Sequence, residues 1–468
     1  MREYLTLSFY NKLHNQSDIS LKNDMKNMND LKDKLDGKRL LIIGCTNYAK
    51  VIADFSKQWN VKIIAAGLRI SKAIEAIADE VYRIEILDKK ALANLIIEKK
   101  IDGIFGGGSE DVISCLIDVA ETTGLNFYAT RELWDGLMNK QRFKNVCREH
   151  NVLTPDDFVI REDHIEEDSK KLKYPVVIKP VDSCGANGVV KCDKQEDFVE
   201  MYKFSKSKSE SRTVTVESFI DGEQIGVYYT FVDGNVSFSS MHDKYLRKVP
   251  GTFIPLAEIY AYPSRHLQLY KDTTDMYVRK MLLDIGIKNG ITSVQGFYDK
   301  GVFRFIEIGY RLGGTSQFRY TSALNNFSSF HMMMIHSLTG KMDGYNQSNE
   351  NPNFCKPCCT LSLLSKGGKV SQIDGIDALH DIKEIIYYEE RYKVGDTIPV
   401  THTVAQFHYR FYIIANTVGR MKEVINLIQD TVKAYDENGE SMLITHFNTN
   451  KLDFGNNVFE GEAAPQHP

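Results

Sequence analysis

Glu307-Ile308-Gly309-Tyr310-Arg311-Leu312-Gly313-Gly314 closes the strand-like run Val302-Phe303-Arg304-Phe305-Ile306, and its reading decides the fold. On an extended strand the carboxylate at 307 and the guanidinium at 311 stand an even number of residues apart, so they point to one face. That pairing suits a metal-bound phosphate. Mg²⁺ keeps several waters and takes the rest of its shell from carboxylate and phosphate oxygens, while arginine offers a planar fork to a phosphoryl or carboxylate group. Gly313 and Gly314 let the backbone turn tightly beside a ligand. Standing alone, the segment reads more simply as a charged strand followed by a glycine turn.

Two upstream stretches change that balance. Tyr174-Pro175-Val176-Val177-Ile178-Lys179-Pro180-Val181-Asp182-Ser183-Cys184-Gly185-Ala186-Asn187-Gly188-Val189 is an apolar strand ending in a lysine, then a small-residue loop and a second strand. Such a loop exposes backbone N–H groups to phosphate oxygens, and the lysine adds a point charge. Val216-Glu217-Ser218-Phe219-Ile220-Asp221-Gly222-Glu223-Gln224-Ile225-Gly226-Val227 follows as strand, turn and strand, a frame for a flat base. Three weak signals in fixed order make one strong one.

In that order the chain resembles the ATP-grasp superfamily of ATP-dependent carboxylate–amine ligases, among them biotin carboxylase and the D-alanine and L-amino-acid ligases. The likeness runs from about residue 38 to the end of the last domain. It implies ATP and Mg²⁺ as cofactors. Lys140, in Met138-Asn139-Lys140-Gln141-Arg142-Phe143-Lys144, and Lys179 would meet the nucleotide's phosphates together with the loop carrying Ser183, Gly185 and Gly188. Glu217 would accept from the adenine amino group, with the backbone of Ile220 facing the ring. The ribose carboxylate expected some seven residues after Glu217 falls on Gln224, beside Glu223; a glutamine carbonyl still accepts from a hydroxyl. The metal motif departs further, with Gln295 and Gly309 in its first and third places. Glu307 is left as the one clear carboxylate, with Gln295 as a neutral partner. His242 and Lys244, spaced His-x-Lys on a basic loop, resemble groups that approach the transferred phosphate in biotin-carboxylase-like members. With Arg311 they form the expected catalytic set.

Composition sets the outer bounds. A formal charge of −4 over 468 residues gives no basic excess for nucleic acid. The longest apolar runs, such as Leu40 to Ile43 and Val112 to Ala120, fall short of a membrane span. The opening segment has neither the apolar core nor the cleavage site of a secretion signal, so the cytoplasm is expected. Eight scattered cysteines in a chain this large read as free thiols. Cys355-Lys356-Pro357-Cys358-Cys359 has CxxC spacing but no second ligand pair, and reads as the approach to a strand.

The expected architecture is α/β: a leader (1–37), a Rossmann-like pre-ATP-grasp domain (38–130), a two-lobed α+β ATP-grasp domain (131–345), a small α+β C-terminal cap (354–455) and a tail (456–468). Gly44-Cys45-Thr46-Asn47-Tyr48-Ala49 lacks the second and third glycines of a dinucleotide fingerprint, which argues against NAD. Gly106-Gly107-Gly108-Ser109-Glu110-Asp111 reads equally as an anion-binding helix start or as a self-satisfied N-cap. The expected reaction joins a small-molecule carboxylate, an amino acid or related acid, to an amine through an acyl phosphate; a homodimer is compatible with it. A nucleotide-binding module with a degenerate metal site and a bicarbonate-using enzyme stand as the alternatives.

Overall fold

Leu40 to Ile43 are fully buried, as a strand covered on both faces must be, and they form β1 (Arg39–Ile43) inside a parallel sheet. The computed structural model describes residues 28–182, 187–249, 255–344, 346–400, 406–444 and 446–460. Within it the chain divides into two units, Met1–Phe127 with His331–Tyr345 and Tyr128–Phe330 with Asn346–Pro468. In the first, β2 (Lys62–Ala66), β3 (Glu80–Tyr82) and β4 (Gly103–Phe105) join β1 in the parallel order β3-β2-β1-β4. Helices Ala49–Trp59 and Lys89–Glu98 link strands, and Glu110–Thr123 follows the last. The apolar stripes of the latter two meet the sheet in one core of Leu41, Ile64, Leu92, Ile96, Val112 and Leu116. This is the Rossmann-like α/β sheet that the strand–helix alternation implies.

One boundary differs from the sequence reading, which ran the second domain to 345. Segment 331–344 packs with the first unit, where Ser337 Oγ donates to the Ile104 carbonyl at 2.8 Å. Gly103 permits this approach, because a Cβ there would lie 2.7 Å from the Ser337 carbonyl oxygen.

Among its described residues the second unit holds two larger antiparallel sheets and two two-stranded ladders. The smaller contains β5 (Asp157–Phe158), β6 (Val176–Pro180), β7 (Val190–Cys192) and β8 (Val214–Ser218) in the order β5-β8-β6-β7. Val176, Ile178, Val190 and Val216 pack there against Phe198 and Tyr202 of helix Gln195–Ser207. The larger is built from β9 (Glu223–Val232), β10 (Asn235–Arg247), β11 (Leu256–Tyr262), β12 (Gly290–Asp299), β13 (Val302–Gly309) and β14 (Cys358–Leu364). Beyond β14 come β15 (Gly368–Lys369), β16 (Gln372–Asp374), β17 (Ile385–Glu390), β18 (Thr397–Ile398), β19 (Phe407–Ile414) and β20 (Lys433–Tyr435). The eight-stranded order is β13-β12-β9-β10-β11-β14-β19-β17, with β15–β18 and β16–β20 as separate ladders. Where the sequence sets a cap apart after residue 354, β11 pairs directly with β14, Tyr260 opposite Thr360. One sheet therefore runs through both regions, and helix Val418–Thr431 buries Met421, Val424, Ile425 and Ile428 in its core. Among the described residues no helix is long and apolar enough to cross a membrane.

Candidate active site

Register assembles the site. Gln295 on β12 lies opposite both Glu307 on β13 and Gly226 on β9, and Gly226 lies opposite His242 on β10. Glu307, Gln295, Gly226 and His242 thus form one row across four strands, and Lys244, two residues past His242, shares their face. Lys244 Nζ donates to Gln295 Oε1 at 2.6 Å, and Gln295 Nε2 donates to Glu307 Oε1 at 2.9 Å. The glutamine amide is oriented by chemistry, since an ammonium only donates and a carboxylate only accepts. Burial brings the Lys244 ammonium down to about 8, against the pull of Glu307.

Lys244 reaches across β9 over a glycine. An added Cβ at Gly226 would meet His242 Cε1 at 2.3 Å, so the imidazole occupies the space that any side chain would need. His242 is 1% exposed, and its ring centroid lies 5.0 Å from that of Tyr262, 5.3 Å from Tyr260 and 5.7 Å from Tyr228. Neither ring nitrogen has a hydrogen-bond partner among the described residues. Burial, then Lys244, holds the imidazole neutral, well below the usual histidine range.

The lysine expected at the phosphates, Lys179, ends β6 and is buried. Its Nζ pairs with Glu217 Oε1 at 2.6 Å. The other carboxylate oxygen of Glu217 accepts from Lys144, a fully buried lysine that also pairs with Asp157. Both Glu217 oxygens therefore meet ammonium groups, and the carboxylate orients Lys179; sequence reading had aimed it at an adenine amino group. Burial draws Lys179 below the ordinary lysine range, Glu217 and Glu307 pull it back, and Lys144 opposes them. Lys140 opens helix Lys140–Glu149, capped by the Asn139 side chain accepting from the Gln141 and Arg142 amides. Lys144 was missed although it stands one helical turn from Lys140, a spacing that puts both on one face.

The glycine turn lies at the end of β13. Tyr310 locks its approach: its hydroxyl donates to the Tyr128 carbonyl at 2.9 Å, and Tyr128 OH donates back to the Tyr310 carbonyl at 3.0 Å. Arg311 Nη1 donates to the Leu312 carbonyl at 3.1 Å. Gly313 lies against Tyr228, whose ring would be 2.6 Å from an added Cβ, while Gly314 is exposed. Thr315 Oγ1 bonds Tyr228 OH at 2.7 Å and Tyr262 OH at 3.0 Å, fixing the turn to the tyrosines around His242. Arg410 of β19 was also missed. It is buried, its guanidinium lies 4.1 Å from the Phe407 ring centroid, and its Nη1 donates to the Gly314 carbonyl at 2.9 Å.

The other expected contacts divide. Ser183 and Gly185 lie outside the described residues. Gly188 has φ +78° and no room for a Cβ beside Lys208 (2.6 Å), which explains the glycine by backbone and packing alone. Glu223 is held by His266 and, at 2.8 Å, by Arg265. Ile220 and Gln224 are half-buried at the start of this strand pair. Ser109 occupies the N-cap position of Glu110–Thr123 without a side-chain capping bond. The described residues contain no group of three or more His, Cys, Asp or Glu placed to hold a metal, the CxxC segment included. At the row, Glu307 fits one Mg²⁺ coordination position, because one carboxylate plus phosphates and water suffices for this ion. Gln295 does not fit as it stands, its carbonyl oxygen being given to Lys244. Gly309 offers no ligand, and Ser293 Oγ lies 3.1 Å from where its Cβ would be.

Comparison with known proteins bears on the fold and the matched span. Residues 172–318 match the ATP-grasp domain family, a span that contains Lys179, Glu217, the whole Glu307–Gln295–Lys244 row and Arg311. The formate-dependent phosphoribosylglycinamide formyltransferase of Prochlorococcus marinus (strain MIT 9515) is 23% identical over 189 residues, 39% of this chain and 48% of that protein. The D-alanine–D-alanine ligase of Wolbachia pipientis wMel is 24% identical over 169 residues, 35% of this chain and 51% of that protein. The chain therefore spans about half the length of the curated relatives it matches. In fold, the crystal structure of L-amino acid ligase from Bacillus licheniformis is similar with a TM-score of 0.70 at 18% identity, over 86% of this chain and 99% of that one. Residues 172–318 of this chain thus match the ATP-grasp domain family, and the chain shares the fold of the L-amino acid ligase structure.

Proposed function

We propose that the protein is an ATP-dependent carboxylate–amine ligase acting on an α-amino acid or a related small acid. The substrate carboxylate attacks the γ-phosphorus of ATP, the bond from that phosphorus to the β–γ bridging oxygen breaks, and ADP departs. An amine nitrogen then attacks the acyl carbon, the C–O bond to phosphate breaks, and the nitrogen sheds a proton. The observation that carries this reading is the hydrogen-bonded row Lys244–Gln295–Glu307, which lies within the residues that match the ATP-grasp domain family. Mg²⁺, held through Glu307, nucleotide oxygens and water, would neutralise phosphate charge. Lys140 and Lys179 bind phosphates, Glu217 and Lys144 orient Lys179, and Arg311 with the Gly313–Gly314 turn receives the acyl group. Lys244 sets positive charge beside the transferred phosphoryl, and neutral His242 packs alongside it. Such catalysis is positioning and electrostatics, with no protein nucleophile. A cytoplasmic enzyme, with a pre-ATP-grasp part, two ATP-grasp lobes and a C-terminal cap, goes with this reading.

The direct test is ADP release by purified protein with ATP and Mg²⁺ against a panel of amino acids, keto acids and small diacids, each paired with ammonia or an amine. No release above the acceptor-free background from any pair would end the ligase reading. Glu307→Gln is expected to lower turnover at least 100-fold while ATP affinity stays within a few-fold. A second reading, a non-catalytic ATP-binding module, is favoured by the doubly engaged Gln295 amide and by Gly309. It predicts ATP binding with no turnover, before and after the Glu307 change.

A further inference from the structure

A cavity of about 430 Å³ opens beside the first half of β10, lined by Ser237, Lys271, Arg279, Gln347, Glu350 and Asn353, among others. Its charges are unbalanced in a specific way. The Glu350 carboxylate accepts from three hydroxyls, Thr230 at 2.9 Å and those of Ser237 and Ser239. These fill three of its roughly four acceptor positions and supply no positive charge. No cation among the described residues lies within ion-pair distance of it. Arg279, on the same wall, is committed to Asp275 at 2.6 Å and to the Val236 carbonyl at 3.1 Å. Lys271, also on the wall and half-buried, has neither an ion-pair nor a hydrogen-bond partner among the described residues. A carboxylate with no ion-pair partner and an ammonium with none, among the described residues, therefore line one small polar space.

A buried carboxylate without a counter-charge is costly, and a ligand that supplies one recovers that cost. A ligand with one charge would relieve one wall and repel the other; a zwitterion relieves both. We propose that this cavity is a binding site for a small zwitterion of the α-amino acid class, its carboxylate toward Lys271 and its ammonium toward Glu350. The volume is that of a small-ligand pocket. Burial raises the Glu350 carboxyl to about 7, and a ligand ammonium beside it would favour the charged form. Thr230 lies on β9 beyond Tyr228, four residues from Gly226, so the cavity is separate from the row that carries the ligase reading.

The test is isothermal titration of the full chain, without ATP or Mg²⁺, with glycine, L-alanine, L-serine, L-glutamate and L-lysine, and with ethanolamine, lactate and inorganic phosphate as single-charge probes. At least one amino acid is expected to bind, with ethanolamine and lactate at least tenfold weaker. Lys271→Gln and Glu350→Gln should each weaken binding at least tenfold, while Arg311→Gln leaves it within twofold. Thermal unfolding of both cavity variants checks that they fold, and Lys271→Gln, on the solvent side, carries the test if Glu350→Gln does not. The proposal is overturned if no amino acid binds, if binding survives both cavity substitutions, or if it is lost in Arg311→Gln, which would place it at the acyl turn. Phosphate binding that ignores the Glu350 change would overturn it equally.

Discussion

Lys244 is the residue at which burial and chemistry meet most sharply. Its ammonium has one strong acceptor, the neutral Gln295, and its pKa falls to about 8 because burial outweighs the distant Glu307. If the charged form is the one that faces the phosphoryl, activity is present below that pKa and is lost as the proton leaves. The profile of kcat/KM, which reports the free enzyme, should therefore decline on its basic side near pH 8. Bound phosphates stabilise an ammonium, so the decline in kcat should lie at higher pH than that in kcat/KM. Lys244→Arg, which stays protonated, should remove the basic limb altogether while lowering turnover, since a guanidinium does not copy a point charge. A limb that remains near pH 8 in the arginine variant would assign it to another group.

Among the elements, β9 carries the heaviest constraint, because it runs through the middle of the row and must be flat at Gly226. The ring of His242 lies over that position, and the ring is itself enclosed by Tyr228, Tyr260 and Tyr262. Gly226→Ala is expected to cost about 1–3 kcal/mol by overpacking. In a His242→Ala background the same change should cost almost nothing, a coupling that a double-mutant cycle by urea unfolding would measure. Equal costs in both backgrounds would show that the ring yields freely. Strand periodicity is also why much of this site was legible in the sequence. A period of two puts His242 and Lys244 on one face before any partner strand is known, but it does not reach Arg311, which lies past the end of β13 at Gly309. It says nothing about which strands become neighbours, and so Gln295 read as a metal ligand when its carbonyl in fact faces Lys244. Lys144 had a local signal in its helical spacing from Lys140. Its partners Glu217 and Asp157 had none, since they reach it only through the β5–β8 pairing.

Across the whole molecule, the largest gap between sequence and structure is the continuity of the eight-stranded sheet. A composition change near residue 345 marks a boundary in the chain, and β11 pairing with β14 erases it in space. Its consequence is Arg410, which β19 brings to a turn 96 residues earlier. The guanidinium is buried against Phe407, bonds Ser362 Oγ at 3.3 Å and holds the Gly314 carbonyl, so the far strands of the sheet set where the glycine turn sits. Strand pairing this remote leaves no periodic trace at either end, and a lone arginine between Tyr409 and Phe411 reads only as an interruption of an apolar strand. Deleting the guanidinium would leave the Gly314 carbonyl without this donor and a gap beside Phe407, at a cost of about 1–3 kcal/mol. Arg410→Lys keeps the charge and gives up the planar fork. It is therefore the informative change: the fold should survive, ATP affinity should stay within a few-fold, and kcat/KM for the acid substrate should fall about 10- to 100-fold, as expected for a turn displaced by a fraction of an ångström to an ångström. The check is paired measurement of nucleotide binding and steady-state rates. A parallel loss of ATP affinity would mean that Arg410 supports the lobe as a whole, whereas unchanged rates would release the turn from its control.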